Sequence, residues 1–443
     1  MDTYADLLPI EREIIEEEKR KLVISSLAFA SIRNIVQLVN RLEKVTGIKY
    51  VRTEMGVPGL PAIDIGVKAE IESLQKGVAS IYPPIEGVPE FKKEVSRFAK
   101  LFLDIDVSPE CCIPTTGSMQ ATMAAMMVAT NTKNNDYKVL FVDPGFPVNK
   151  LQVKILNKKY ISFDIFDFRG NNLKEKLEDI FNNNKISVIV YSNPNNPSWV
   201  CLTNEELKII AEFSNKYDTI IIEDLAYFGM DFRENYGLPG VPPFQPTIAK
   251  YTDNYVILIS ASKIFNYAGQ RIAALIMSDR LYNREYHELH NNFVNTIFGK
   301  ALIQDAIYAL SAGTTHSSQL AIAHVLKVIN DGKFNFIENI KEYGIRAAKM
   351  KQLFLENGFY LVYSKDIDKE LADGFYFTVA YPGMNGEELL HELLCFGISA
   401  ITLDTTGSSR TEGLRICVSQ VDEEKLNLLA YRLKLFRNYK LKQ

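Results

Sequence analysis

Hydrophobic positions follow two different periods through the middle of the chain. Short runs that are apolar almost throughout recur, as is typical of strands covered on both faces of a sheet. Between most of them, as over 173–182 and 203–216, apolar residues return at helical spacing. This alternation predicts repeated βαβ units and a mostly parallel sheet flanked by helices. The predicted strands are 139–142, 160–163, 186–191, 219–223, 255–260 and 272–277.

The two ends of the chain show helical periodicity instead. Residues 11–44 contain neither Pro nor Gly, and their acidic residues precede the basic ones, which predicts a solvated helical arm. A long helical stretch over 279–330 leads into a C-terminal α/β region, which closes with a predicted helix over 422–442. The pattern contains no internal repeat.

Composition narrows the class of protein. The chain has 443 residues, 47% of them hydrophobic and 23% charged, which is typical of an ordinary globular protein. A formal net charge of −4 argues against a nucleic-acid-binding surface, because such domains usually carry a basic excess. Five cysteines without a CxxC motif indicate neither a disulfide framework nor a zinc site. The acidic N-terminus and the lack of a long apolar run predict a cytoplasmic protein without a membrane span.

Polar motifs follow four of the predicted strands. In an open parallel sheet, ligands bind beyond the carboxyl ends of the strands, so these motifs predict a binding site. They are DPGFP after 139–142, SNPNNPSW after 186–191, EDLAY after 219–222 and SASK after 255–259. Neither GxGxxG nor GxxxxGK[ST] occurs, which disfavours a nicotinamide dehydrogenase or a P-loop enzyme. One lysine, one carboxylate, an arginine, an aromatic ring and several hydroxyls suit pyridoxal phosphate (PLP) held as a Schiff base.

At these motifs the chain resembles the class I/II aminotransferases, enzymes of PLP fold type I. SASKIFNYAGQR at 260–271 resembles the lysine signature of the family, with Arg271 eight residues after Lys263. Seven further motifs occur in the family's order: YPPIEGVPEFKKEV from Tyr82, TTGSM from Thr115, DPGFP from Asp143, NPNNPS from Asn193, EDLAY from Glu223, DGFYF from Asp373 and LRICVS from Leu414. Any one of them is weak evidence. So many in the correct order leave chance a negligible explanation.

The resemblance implies an α/β fold with a large domain and a small domain. The large, PLP-binding domain would hold a mostly parallel sheet flanked by helices, and the smaller α/β domain would be built from both chain ends. On this basis we expect an N-terminal arm and part of the small domain in 1–66, the large domain in 67–315 and the C-terminal small domain in 316–443.

The resemblance also implies catalytic roles. Lys263 would form the internal aldimine and move the proton between the substrate Cα and the cofactor. Asp224 would pair with the protonated pyridine nitrogen. Tyr227 and Asn196 would hydrogen-bond the phenolic oxygen of the cofactor, and Phe146 would lie against the ring face.

The cofactor phosphate and the substrate carboxylate have separate implied ligands. The phosphate would be bound by the backbone amides of Gly117, Ser118 and Met119, with Ser260 and Arg271, and Ser262 would be a further cofactor-binding residue. Tyr82 would reach the phosphate of a second subunit, which implies a homodimer. Arg415 would bind the substrate α-carboxylate through its planar fork, with the Gly56 amide and Asn196 beside it.

Two departures from the family pattern bear on the substrate. Trp199, the single tryptophan, stands where the family usually has Gly. No arginine occurs in 293–300, where dicarboxylate-specific relatives supply a second one from the partner subunit, and Arg284 does not match that position. An acidic substrate is therefore not supported.

The expected activity is transfer of the amino group of an L-amino acid to a 2-oxo acid. The same residues also serve a C–S β-lyase or another fold type I reaction, so these alternatives stay open. A ligand-sensing regulator with an aminotransferase-like domain is the alternative from another class. It is disfavoured because the N-terminal segment shows no separate DNA-binding domain.

Overall fold

The computed structural model describes residues 8–442, which form two compact units. The core unit holds residues 60–195 and 201–341. The terminal unit combines the described residues up to 59, the short segment 196–200 and those from 342 onward. These units divide at 59/60 and 341/342, whereas the domain boundaries predicted from the sequence, at 66/67 and 315/316, stay predictions.

A seven-stranded sheet forms the centre of the core unit. Its order is β1-β7-β6-β5-β4-β2-β3; β2 to β6 are parallel to one another, and β7 is antiparallel to both β1 and β6. The mostly parallel α/β sheet predicted from the sequence is confirmed. The strands are β1 Cys112–Thr115, β2 Lys138–Asp143, β3 Tyr160–Asp164, β4 Ile186–Ser192, β5 Ile220–Asp224, β6 Tyr255–Ser260 and β7 Ala273–Met277.

Helices connect these strands, and their ends follow ordinary capping chemistry. Thr203 begins Asn204–Tyr217 with a capping box, in which its hydroxyl accepts from the Glu206 amide and the Glu206 carboxylate accepts from the Thr203 amide. The α-helices of the core unit are Asp64–Gln75, Pro89–Phe98, Gly117–Ala129, Pro147–Ile155, Asn171–Asn183, Asn204–Tyr217, Ala261–Ile264, Asp279–Asn283, Phe298–Lys300, Tyr308–Ser311, His316–Asn330 and Phe336–Ile340. Within residues 8–442, no helix is both long and apolar enough to cross a bilayer.

The long helical stretch expected over 279–330 is interrupted in the structure. Three short α-helices, a 3-10 helix and a π-helical segment, Ala301–Ile307, precede the regular helix His316–Asn330. Ala312 and Gly313 both have left-handed backbone, with φ of 55° and 108°, which ends one helix before the next begins. Apolar spacing alone does not report such a break.

The terminal unit joins the two ends of the chain. Its antiparallel sheet has the order β10-β11-β9-β8, from β8 Tyr360–Leu361, β9 Tyr376–Ala380, β10 Ile401–Thr402 and β11 Leu414–Cys417. Val51–Arg52 pairs in parallel with Ile398–Ser399, and Lys365–Asp366 pairs with Lys369–Glu370. The helices are Arg12–Lys21, Ile32–Thr46, Glu342–Glu356, Gly386–Cys395 and Glu423–Lys440.

The N-terminal segment differs from the solvated arm that its sequence predicts. It forms two helices, and the Ser31 side chain begins the second by a capping box with Asn34. That helix buries a stripe at helical spacing completely: Ile35, Leu38, Val39 and Leu42. The segment is thus part of the terminal unit's core, because so wide an apolar stripe is favourable only when it is removed from water.

Candidate active site

Lys263 lies directly beyond the carboxyl end of β6. It is the third residue of the short helix Ala261–Ile264, and its side chain is partly exposed. Ser260, the last residue of β6, caps this helix, its hydroxyl accepting from the Ser262 amide at 3.2 Å. The strand end and the cap therefore fix the backbone that carries the lysine.

Two acidic residues end the neighbouring strand β5, and the structure separates their roles. Glu223 is fully buried, and its carboxylate accepts hydrogen bonds from the Tyr191 hydroxyl at 3.1 Å, the Thr247 hydroxyl at 2.5 Å and the Ile248 amide at 3.1 Å. Burial nevertheless raises the pKa of Glu223 to about 7. Its hydrogen-bonding capacity is used inside the core unit, so it is a structural acid.

The Asp224 side chain points to the opposite face of the strand, and its carboxylate accepts fewer hydrogen bonds than that of Glu223. Its carboxylate accepts from the Ala226 amide at 3.0 Å, and no lysine or arginine of the described residues forms an ion pair with it. Burial raises the pKa of Asp224 to about 6. A bound cation would offset this desolvation, which is what a protonated ring nitrogen provides.

Arg271 and Gly117 form a cradle at the same edge of the sheet. Nη1 of Arg271 donates to the Ser262 hydroxyl at 3.3 Å and to the Ala268 carbonyl at 2.9 Å. A Cβ at Gly117 would lie 2.3 Å from Nη2 of Arg271, so the guanidinium rests against the bare Cα of this glycine. Gly117 has φ of +68° and begins the helix Gly117–Ala129, where Ser118 and Met119 follow. A cation beside a helix N-terminus is a favourable environment for a phosphate.

Three further predicted residues lie in loops of the core unit. Tyr227 is buried in the turn after β5, and Phe146 is partly exposed just before the helix that follows β2. The Asn195 side chain donates to the Pro144 carbonyl at 2.8 Å and so ties the loops after β4 and β2 together. Tyr82 precedes the helix Pro89–Phe98 and is 91% exposed. The roles of Tyr227, Phe146 and Tyr82 stay predictions.

The terminal unit brings Arg415 and Gly56 together around a residue that the sequence analysis did not single out, Tyr376. The Arg415 guanidinium lies 4.8 Å from the centre of the Tyr376 ring, and one Nη donates to the Glu54 carbonyl. Its Nε is buried without a hydrogen-bond partner among the described residues. A Cβ at Gly56 would lie 2.0 Å from the Tyr376 hydroxyl, so tyrosine and glycine are in close contact. Tyr376 could have been noticed through its position in DGFYF.

Trp199 and Asn196 belong to the segment 196–200 of the terminal unit. Trp199 has left-handed backbone, with φ of 63°, so it keeps the conformation that glycine favours. Its indole is 1% exposed and packs on Gly374, where a Cβ would lie 2.0 Å from the ring, and edge-on against Tyr376. Asn196 is buried in the same segment. Trp199 thus adopts a left-handed backbone at the position where the family usually has Gly.

The core unit fits PLP by its own chemistry. A lysine follows one strand, and a desolvated carboxylate without an ion pair among the described residues ends the next strand. An arginine rests on a glycine whose left-handed backbone disfavours a larger residue. These are the groups needed for covalent attachment, for the ring nitrogen and for the phosphate. Lys263, Asp224 and Arg271 would be the residues that hold it.

Comparison with known proteins gives the same result. The family model for aminotransferase class I and II matches residues 62–433. A probable aspartate aminotransferase of Methanocaldococcus jannaschii is 24% identical over 68% of this chain and 70% of its own length, and an aspartate aminotransferase of Pyrococcus horikoshii is 24% identical over 76% and 82%. The solved alanine aminotransferase from Pyrococcus furiosus shares the fold, with a TM-score of 0.74 at 18% identity over 94% of this chain and 99% of that one. The chain thus belongs to the class I and II aminotransferases, which are PLP-dependent enzymes.

Proposed function

We propose that this aminotransferase moves the amino group of a monocarboxylic L-amino acid to a 2-oxo acid at a site formed around Lys263. The observation that carries the proposal is the cradle in which Arg271 rests on Gly117 beside Ser262, eight residues after the lysine. This cradle supports the binding of a phosphate by Arg271, close in the sequence to the Lys263 amine.

When bound, PLP supplies an electron sink for the carbanion formed at the substrate Cα. Lys263 would hold the cofactor covalently and would take and return the proton at that carbon. Asp224 would keep the ring nitrogen protonated, Tyr227 and Asn196 would donate to the phenolic oxygen, and Phe146 would lie against the ring. Arg271, the hydroxyls of Ser260 and Ser262, and the amides of Gly117, Ser118 and Met119 would bind the phosphate.

Arg415 recognises the α-carboxylate, with the Gly56 amide beside it. The guanidinium is oriented by the Tyr376 ring and the Glu54 carbonyl, and its unpartnered Nε is available to an incoming oxygen. A planar fork binds a carboxylate with two parallel hydrogen bonds. These contacts support Arg415 as the substrate anchor.

The side chain of the substrate is proposed to carry no second carboxylate. Arg284, the arginine nearest to the relevant sequence position, donates through both Nη atoms to Asp218, at 2.6 and 2.7 Å. Asp218 also accepts from Lys133, and its pKa is lowered to about 2, with the hydrogen bond from Arg284 as the main cause. Arg284 is thus committed to an internal ion pair. Relatives named aspartate aminotransferases do not by themselves assign an acidic substrate to this chain.

A homodimer is the proposed assembly. Tyr82 is 91% exposed beside the exposed Ile81, and the helix Asp64–Gln75 presents an apolar stripe at helical spacing, Val67, Ile71 and Leu74. A second copy of the chain would remove this surface from water. The proposal gives Tyr82 the task of reaching the phosphate bound by the partner.

The first prediction concerns the attachment point. Borohydride treatment of the protein with bound PLP, followed by peptide mapping, should place the cofactor on Lys263, because this lysine lies beside the cradle. Lys263→Ala should retain no covalent cofactor. A stable adduct on another lysine of the parent protein would contradict the proposal.

The second prediction separates stability from function at Asp224. Its raised pKa means that the folded state holds a proton more tightly than the unfolded state, so the charged group lowers stability above pH 6 and this penalty disappears as the pH falls below 4. Asp224→Asn should therefore stabilise the cofactor-free protein by about 3 kcal/mol at pH 7.5 and by much less at pH 4, while turnover falls more than about a hundredfold.

Urea denaturation at the two pH values measures this effect. Asp136→Asn, at an exposed position of the core unit where the carboxylate forms no ion pair with the described residues, is the matched control and should change neither stability nor turnover. An Asp224→Asn protein that is less stable than the parent at pH 7.5, or that turns over within threefold of it, would refute the assignment.

The third prediction tests substrate recognition. Arg415→Lys keeps the charge but loses the fork, so kcat/KM for the best amino acid in a panel should fall about ten- to a hundredfold, with unchanged PLP affinity. The panel should show amino transfer to 2-oxo acids, with monocarboxylic amino acids preferred over aspartate and glutamate. Release of pyruvate and ammonia without transfer would identify a β-lyase instead.

The fourth prediction tests the dimer. Tyr82→Phe should weaken PLP binding about tenfold or more, because it removes one hydrogen bond to a charged phosphate. In a hybrid of one Tyr82→Phe chain and one Lys263→Ala chain, both defects fall into one site and the other stays intact if the tyrosine acts across a two-fold axis. Titrating PLP into differentially tagged hybrids should then reveal high-affinity active sites. Hybrids that show weak sites alone would place Tyr82 in its own subunit or away from the phosphate.

A further inference from the structure

Glu70 is a buried carboxylate whose partners are hydroxyl groups. It is 6% exposed on the inner face of the helix Asp64–Gln75. It accepts hydrogen bonds from the Tyr267 hydroxyl, from Ser317 at 2.9 Å and from Ser318 at 3.1 Å. No lysine or arginine in residues 8–442 forms an ion pair with it. Burying a carboxylate without hydrogen bonds is unfavourable, and the three hydroxyl donors offset this cost.

Tyr267 lies inside the lysine signature, midway between the two residues that define it. It follows Lys263 by four residues and precedes Arg271 by four. Its amide donates to the Ala261 carbonyl at 3.1 Å, and its hydroxyl reaches Glu70. The side chain is thus the link between the turn 264–271 and the helix Asp64–Gln75.

The turn needs such a link because its backbone is locally unfavourable. Asn266 and Arg271 both have left-handed conformations, with φ of 51° and 50°. Asparagine tolerates this conformation, but arginine seldom adopts it. The residue that precedes this helix, Ile63, holds the turn at a second point, since its amide donates to the Phe265 carbonyl at 3.1 Å. The neighbouring helix residue Gly66 leaves little room for a Cβ, which would lie 3.2 Å from the Tyr267 ring.

We propose that Glu70 is a positioning residue for the cofactor phosphate. Through Tyr267 it holds the turn 264–271 in the shape that places the Arg271 guanidinium on Gly117. It acts at a distance from the ligand, because its own hydrogen bonds go to Tyr267, Ser317 and Ser318. This inference rests on the proposed function, in which Lys263 and Arg271 bind PLP.

The fifth prediction is that Glu70→Gln raises the dissociation constant of PLP about tenfold, the effect of losing one charge-assisted hydrogen bond at the turn. The constant is measured by titrating PLP and following its absorbance change, and borohydride mapping should still find the cofactor on Lys263 at saturation. Glu94→Gln is the matched control. Glu94 is equally buried and bonds to Arg97 and Asn330, away from the turn. Glu94→Gln should lower thermal stability and leave the PLP affinity within twofold of that of the parent.

A double-mutant cycle completes the test. Tyr267→Phe should weaken PLP binding by the same factor as Glu70→Gln, and the double variant should lose no more, because both changes remove one interaction. If Glu70→Gln does not fold, Tyr267→Phe with the Glu94→Gln control decides the question. A parent protein without an adduct on Lys263 would refute the proposed function. A normal parent adduct with unchanged affinity in the Glu70 and Tyr267 variants, or an equal loss in Glu94→Gln, would refute this inference alone.

Discussion

A carboxylate that is desolvated without a compensating cation is the constraint around which the site is built. Other buried acids of the core unit have protein partners: Glu206 has Arg169, and Glu223 has two hydroxyls and an amide. Asp224 accepts from one backbone amide among the described residues, and burial raises its pKa. The buried carboxylate lowers the stability of the folded protein, and a cationic ligand would offset this cost when it binds. Part of the binding affinity thus comes from an interaction that the folded protein lacks.

The parallel sheet explains why the groups that surround this charge come from distant parts of the chain. The carboxyl ends of β2, β4, β5 and β6 lie at one edge, and each is followed by a loop with polar residues. The antiparallel strand β7 then returns beside β6, and Arg271 precedes it in the turn that contains Tyr267. Arg415 depends on a separate sheet in the terminal unit, where Tyr376 orients it.

Much of this could be predicted from sequence because the signals are local. All six predicted strands are present, and the motifs after them lie where a parallel sheet requires. Strand β1 was missed, because four residues that include Pro114 carry too weak a pattern. The N-terminal segment was interpreted as solvated since nothing in its own sequence shows what covers its apolar stripe.

The features that could not be predicted depend on contacts between residues far apart in the sequence. Glu70 and Tyr267 are 197 residues apart in sequence, and a single glutamate among other charged residues of a helix does not indicate a tyrosine partner. Tyr376 has the same difficulty, because its role depends on Gly56 and Arg415 at either end of the chain. Trp199 is a local feature that the sequence also does not predict, because large residues seldom adopt the left-handed conformation that glycine favours.

The pairing of Val51–Arg52 with Ile398–Ser399 sets an order of events during translation. The second strand leaves the ribosome about 350 residues after the first, which at about 5 to 20 residues per second is a delay of roughly 20 to 70 s. In that interval the strands of the core unit are all synthesised, whereas Val51–Arg52 still lacks the strand with which it pairs. The terminal unit therefore completes its structure only after the C-terminal region has left the ribosome.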